Sequence, residues 1–357
     1  MKKIVARFLA LVMISLLLPT GALGEGVVNV YNWEDYISQE ALDLFTEETG
    51  ITVNMMNFTT NEDMMVQLRN SPSSFDVVFP SDYCIERLIT ENLLEEIDFS
   101  RIPNFEYIDP NLKNPSYDKE NLYSVPYMWG TVGILYNTRM VSEPITSWSS
   151  LFDPQYKNNV FMMDSIRDAM GITLKYLGYS MNTRNPLEIN AAKEALIKQK
   201  KDGIVKAYQV DETKDKMVAG EAALALMWSG DAQYAMDIDQ RNAEKNGMEP
   251  TLAYVVPQEG SNIWVDGMVI PKGAKNKENA ETFINFMSRP DVAQINCNEI
   301  WYSTPNTEAV KLMGDDYVTN LTMNPTQDII DRCEFFNDIE DMIAIYNAMW
   351  LEIKSAK

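Results

Sequence analysis

Histidine is absent from all 357 residues. That removes Ser-His-Asp and Cys-His catalysis in their usual forms, and His-ligated zinc or iron with them. Cysteine is scarce. Cys84, Cys297 and Cys333 form an odd set that can close at most one internal disulfide, and such thiols read as small hydrophobes rather than redox groups. Basic residues are few, 30 Lys and Arg against 52 Asp and Glu, for a formal charge of −22. A nucleic-acid partner needs a basic surface, so that class is excluded. A cationic ligand is compatible, because a negative field steers cations inward, although an acidic surface also serves solubility alone. Past the first residues no run approaches the ~18 apolar residues of a membrane-spanning helix. There is no short repeat and no low-complexity tract.

What is present begins with the N-terminus. Lys2, Lys3 and Arg7 precede an apolar run from Phe8 to Leu18, which Pro19 breaks. Ala22-Leu23-Gly24 then offers a small-x-small cleavage site before Glu25. This is the pattern of an export signal over residues 1–24, too short for a permanent anchor and without a nearby Cys for lipid attachment. The expected destination is the periplasmic or extracytoplasmic space. The remaining length suits about two domains.

Short apolar strands alternate with helical stretches. Val27–Tyr31, Ile51–Met55 and Phe75–Pro80 read as strands. Ser38–Phe45, closed by Gly50, and Glu62–Leu68 read as helices between them. This alternation predicts parallel β-α-β units with sheets covered on both faces. Tyr127–Tyr136 is long and extended, and Trp264–Ile270 is a second such segment; both are candidates to cross between domains. Helices are expected at Asp168–Leu177, Pro186–Lys200, Ala280–Met287 and Ile339–Ile353. Val218–Met227 reads as a helical start followed by strand Ala222–Met227, and Leu252–Val256 as a further strand. The expected fold is α/β, with two lobes of non-contiguous segments and a hinge between them. Ligands favour such interdomain clefts.

Aromatics and acids coincide at predicted strand ends: Asn32-Trp33-Glu34-Asp35-Tyr36, Pro80-Ser81-Asp82-Tyr83, Trp228-Ser229-Gly230-Asp231 and Trp264-Val265-Asp266. In open α/β sheets that is where ligands bind. The chemistry fits an aliphatic diamine or polyamine. Carboxylates replace the hydration lost by each ammonium, aromatic faces hold the cation, and indole rings wall the methylene chain. Each residue also has a plain reading: Trp228 as core, Asp35 as a turn residue, Asp266 as the partner of a structural Lys. Two other functions use similar residues. One is a secreted glycoside hydrolase with a carboxylate pair. The other is a same-fold binder of a sugar or another solute. Ca²⁺ lacks support, since no Asp-x-Asp-x-Asp-Gly loop is present.

The first, second and fourth of these motifs, with Ser124-Val125-Pro126-Tyr127-Met128-Trp129-Gly130, Thr146-Ser147-Trp148, Leu226-Met227-Trp228-Ser229-Gly230, Arg289-Pro290-Asp291-Val292-Ala293 and Thr304-Pro305-Asn306, carry a resemblance. Over nearly the whole mature chain, the sequence resembles the bacterial polyamine-binding proteins of ABC importers, the spermidine- and putrescine-binding family. The resemblance implies a type II-like periplasmic-binding-protein fold whose lobes, each a mixed, mainly parallel sheet flanked by helices, close on the ligand. One lobe would comprise residues 25–133 plus 265–312, the other 134–264 plus 313–357. It implies that Trp33, Tyr36, Tyr83, Trp228, Trp264 and Tyr302 line the cleft. Asp35, Asp168 and Asp266 would meet ammonium groups, and Ser81 would add a polar contact. It also implies delivery to a membrane permease driven by an ATPase, by a monomer without cofactor, metal or catalysis. Glu34 stands where spermidine binders are neutral, adding a negative charge. Ser165 replaces an acid, Asp168 a longer Glu, Phe336 a Gln and Val210 a small hydroxyl residue. These departures leave spermidine, putrescine and related cations open.

Overall fold

The computed structural model describes residues 26–357; the expected export signal lies outside the described residues. Nine strands form one continuous sheet among them. In chain order they are β1 Gly26–Trp33, β2 Ile51–Phe58, β3 Val77–Val78, β4 Ser124–Asn137, β5 Val160–Met163, β6 Val205–Gln209, β7 Leu224–Trp228, β8 Leu252–Val255 and β9 Ile263–Val269. Their spatial order is β2-β1-β3-β9-β4-β7-β5-β6, with β8 also paired to β4.

The long strand β4 joins the two halves. Its first part pairs antiparallel with β9, from Ser124↔Val269 to Thr131↔Ile263. From Val132 onward it pairs antiparallel with β7, and from Ile134 also with β8. The strand therefore leaves one half-sheet and enters the other at Thr131–Val132. Parallel pairing is confined to the outer strands, β1 with β2 and β3 and β5 with β6 and β7. The crossing strands supply the antiparallel centre.

Each half has its own apolar core. Around β1 and β9, Phe45 on α1 (Gln39–Thr49) meets Phe283 and Phe286 edge-on at 5.1 and 5.2 Å. Such pairs add about 0.5–1.5 kcal/mol beyond area burial. Around β5 and β7, Trp148, Met162, Met170 and Leu224 are fully covered. Trp264 on β9 packs against both cores, as a residue at the junction should.

Most expected elements are present, with shifted ends. Gly50 closes α1 in the left-handed conformation, φ 73°, its N–H donating to Thr46 O. The next helices are α2 (Asn61–Asn70) and α3 (Asp82–Thr90), then α4 (Ile166–Tyr176) and α5 (Pro186–Lys201). The helix expected to start at Val218 instead ends there, as α6 (Glu212–Val218), and α7 (Ser229–Asn246) follows β7 directly. The C-terminal helix begins at Ile343 rather than Ile339, after a short 3₁₀ turn. The strand expected over Phe75–Pro80 shrinks to β3, because Asp76 is drawn into side-chain hydrogen bonding with Asn29 and Asn276. The thiols of Cys84, Cys297 and Cys333 are free, and the first two are buried. No helix among the described residues is long and apolar enough to cross a membrane.

Candidate ligand-binding site

The ends of β1, β7 and β9 and the turn after β3 carry the aromatic and acidic residues singled out above. Trp33 ends β1. Its indole N–H donates to Phe79 O at 2.9 Å and its ring tilts against Phe58 at 4.5 Å. This fixes Trp33 beside the Pro80-Ser81 turn. Glu34 and Asp35 follow in an exposed turn, Asp35 with φ 52°, a conformation Asp tolerates. Both acids are solvent-exposed, between Trp33 and Tyr36. Tyr36 turns back inside and its hydroxyl donates to Asp266 Oδ2 at 2.9 Å.

Asp266 is the centre of the arrangement. It lies on β9, bridged to Ser81 by the backbone, and is 7% exposed. Burial pushes its carboxyl up to about 6, against the opposing pull of the Ser81 and Tyr36 hydroxyls. Oδ1 finds no hydrogen bond of acceptable geometry, and neither does Nε1 of Trp264, two residues earlier. Buried polar atoms are rarely left this way without a ligand or water to serve them.

Three further acids belong to the candidate site, Asp82 and Asp168 buried and Asp231 largely covered. Asp82, in the first turn of α3, accepts from the backbone N–H of Tyr83 and of Val265 at 2.7 and 3.4 Å. Burial raises its pKa well above the carboxylate range, and the Asp266 charge adds to this. Asp168 on α4 accepts from the Ser165 hydroxyl at 2.5 Å. Burial raises it, while Ser165, Arg167 and the Trp228 indole oppose the shift. Asp231, in the first turn of α7, is raised by burial against the pull of Lys214, 3.4 Å away. The Tyr302 hydroxyl is pushed far up, first by burial and then by the charges of Asp231 and Asp266. One hydroxyl thus feels Asp231 from one half-sheet and Asp266 from the other.

Aromatic rings fill the space between them. Tyr302 meets Trp264 and Tyr36 edge-on at 5.2 and 5.7 Å. Close approach requires glycine within β4 and in the first turn of α7. A Cβ on Gly130 would lie 2.6 Å from Ser229 Oγ and 2.7 Å from the Trp264 ring, and one on Gly230 would enter the Tyr302 ring. Ser81 Oγ and the Tyr83 hydroxyl both accept from Asn61 Nδ2 at 3.0 Å. Tyr83 also faces the Arg167 guanidinium at 5.8 Å.

Of the sequence-predicted residues, Tyr36, Ser81, Trp264, Asp266 and Tyr302 gather around one carboxylate. Asp168 and Trp228 join from the other half, and Tyr83 and Trp33 flank the set. Four contributors escaped assignment. Asp82 and Asp231 sat within the recognised motifs, yet nothing in the sequence marked them as covered. Asn61 and Arg167 carried no signal. Phe336 lies with its ring 4.3 Å from Arg167 and against Gly171, so it packs on the guanidinium rather than offering a polar group. Ser165 caps α4 and binds Asp168, and Val210 is half-buried just after β6.

A buried carboxylate with one unserved oxygen, next to aromatic faces and further covered acids, is suited to a desolvated organic cation. A family model of bacterial extracellular solute-binding proteins matches residues 40–325. The chain belongs to this family. Among its relatives, the spermidine/putrescine-binding periplasmic protein of Salmonella typhimurium is 36% identical over 329 residues, 92% of this chain and 91% of that protein. The putrescine-binding periplasmic protein of Pseudomonas aeruginosa is 30% identical, covering 93% and 92%. The solved structure of a spermidine/putrescine ABC transporter substrate-binding protein from Streptococcus pneumoniae superposes with a TM-score of 0.80 at 35% identity, covering 92% of this chain and 99% of that one. The fold is thus that of the periplasmic solute-binding proteins, and the role is solute binding.

Proposed function

We propose that this chain captures a polyamine, spermidine or putrescine, between its two half-sheets outside the cytoplasm and presents it to the permease of an ATP-driven importer. The observation that carries this reading is Asp266: a buried carboxylate with a bare Oδ1 beside an unserved indole N–H and three aromatic rings. An ammonium supplies the donor that Oδ1 lacks and the charge that burial denies it. The names of the relatives point to the same ligand class. A glycoside hydrolase reading gains nothing from them. The protein binds without turnover, as a monomer, after removal of residues 1–24.

The halves act as lobes, residues 25–133 with 265–312 and 134–264 with 313–357, hinged where β4 changes partners. The exposed carboxylates of Glu34 and Asp35 steer the cation toward Trp33 and Tyr36. Titration calorimetry against putrescine, cadaverine, spermidine, spermine and neutral sugars tests the reading. Saturable binding of at least one amine, and of no sugar, is expected. Binding of a sugar alone overturns it.

A further inference from the structure

The acids of the site do not all await a cation, for largely covered Asp231 already has one. The Lys214 ammonium, presented by α6, lies 3.4 Å from its carboxylate, and the Lys214 side chain is only 27% exposed. The same ammonium is 3.7 Å from exposed Asp211 and 5.7 Å from the centre of the Tyr234 ring. Gly230, the neighbour of Asp231 in the chain, lies so close to the Tyr302 ring that a Cβ there would enter it, which puts that ring beside Asp231. Tyr302 packs on Trp264 and Tyr36, and Tyr36 donates to Asp266. Asp231 and Asp266 therefore front one aromatic wall from opposite half-sheets. They differ in one respect: Asp266 keeps a bare oxygen, whereas Asp231 is met by an ammonium of the protein itself. A lysine side chain is a four-carbon alkyl stem ending in a primary ammonium, the same chemical unit a polyamine presents at each end.

We propose that Lys214 is a tethered ammonium that occupies Asp231 and so limits how many ligand amino groups the cleft accepts, favouring a diamine over a triamine. The inference rests on the polyamine reading above. A diamine can serve Asp266 and Asp168 and leave the Lys214–Asp231 pair intact. A third ammonium seeking Asp231 must displace Lys214. That would leave a largely covered lysine with only the exposed Asp211, at a cost in desolvation without compensation. The pair thus acts as a length stop built from charge rather than bulk, a repulsive element of the kind that specificity between similar ligands requires.

The test is calorimetric binding of putrescine and spermidine to wild type, Lys214→Met, Lys214→Gln, Lys214→Arg and the double variant Lys214→Met/Asp231→Asn. With the tether removed, spermidine should gain on putrescine by about tenfold in the ratio of dissociation constants, equally in the Met and Gln variants. The Arg variant should keep the wild-type ratio, and the double variant should return to it. A Lys214 that is merely structural would lower both affinities together and leave the ratio unmoved. That result, or a shift that persists without Asp231, overturns the inference alone. Wild-type protein that binds neither amine overturns the polyamine reading and this inference with it.

Discussion

Replacing Asp266 with Asn should make the empty protein more stable while depriving it of its ligand. The folded state holds the Asp266 proton up to about 6, against an ordinary value of 3.8 that the unfolded chain keeps. At about 1.4 kcal/mol per unit, burial of the charged form costs the fold about 2–3 kcal/mol. Below 3.8 both states are protonated and there is no cost. Between 3.8 and about 6 unfolding releases the proton, so stability declines as pH rises, and above about 6 the full penalty is carried. Asn bears no charge, so its variant escapes the decline. At roughly 2 °C per kcal/mol for a chain of this size, the ligand-free variant should melt about 5 °C above wild type near pH 7.5. The gap should close toward about pH 4 as Asp266 is protonated in both states. Saturating amine should narrow the gap by about 1.4 kcal/mol, roughly 3 °C, for each tenfold by which the variant binds more weakly than wild type. Thermal melts over this pH range, with and without putrescine, check all three statements. A ligand-free variant that melts below wild type near neutrality, or a gap independent of pH, would refute the burial argument.

Raising ionic strength should weaken amine binding modestly, because the carboxylates are only partly screened in the cleft; affinity unchanged between low and high salt would contradict ammonium recognition. Gly230→Ala should abolish or severely weaken binding while the protein still folds, since the added methyl enters the Tyr302 ring and pushes it off Trp264. Calorimetry beside circular dichroism separates loss of binding from loss of fold.

How much of this was legible in the sequence depends on whether the signal was local. The strand–helix alternation from Val27 to Leu68 and the crossing segment Tyr127–Tyr136 were readable because period and breakers mark them. The turn into β3 was not, because Asp76 takes its partners from Asn29 and Asn276, distant in sequence. In the site, aromatic–acid motifs pointed to Tyr36, Trp264 and Asp266 through their placement after strands. Glu34 and Asp35 lie in the same motif yet are exposed, in the turn that follows the end of β1 at Trp33. Asp82 and Asp231 were passed over for the opposite reason. An acid in the first turn of a helix ordinarily serves the helix dipole in solvent, and only tertiary packing shows that Asp82 is buried and Asp231 largely covered. Asn61 and Arg167 act through partners on other helices, and no spacing rule ties them to the motifs.

The electrostatics also say why an empty cleft should resist closing. Asp266 and Asp82 belong to one half, Asp168 and Asp231 to the other. All four have raised pKa values, and burial is the leading cause in each. With the halves together as they are here, the acids are already covered and Asp266 adds its charge to that of Asp82, both of which disfavour the ionised state. The protein's own cations offset part of this, Arg167 beside Asp82 and Asp168 and Lys214 beside Asp231. Neither serves Asp266 Oδ1. A ligand ammonium that binds there interacts far better with the closed arrangement than with the open one. Differential affinity of this kind is what a ligand needs to shift a conformational equilibrium. On this reasoning the acid whose oxygen the protein leaves unserved is the one that couples ligand capture to closure.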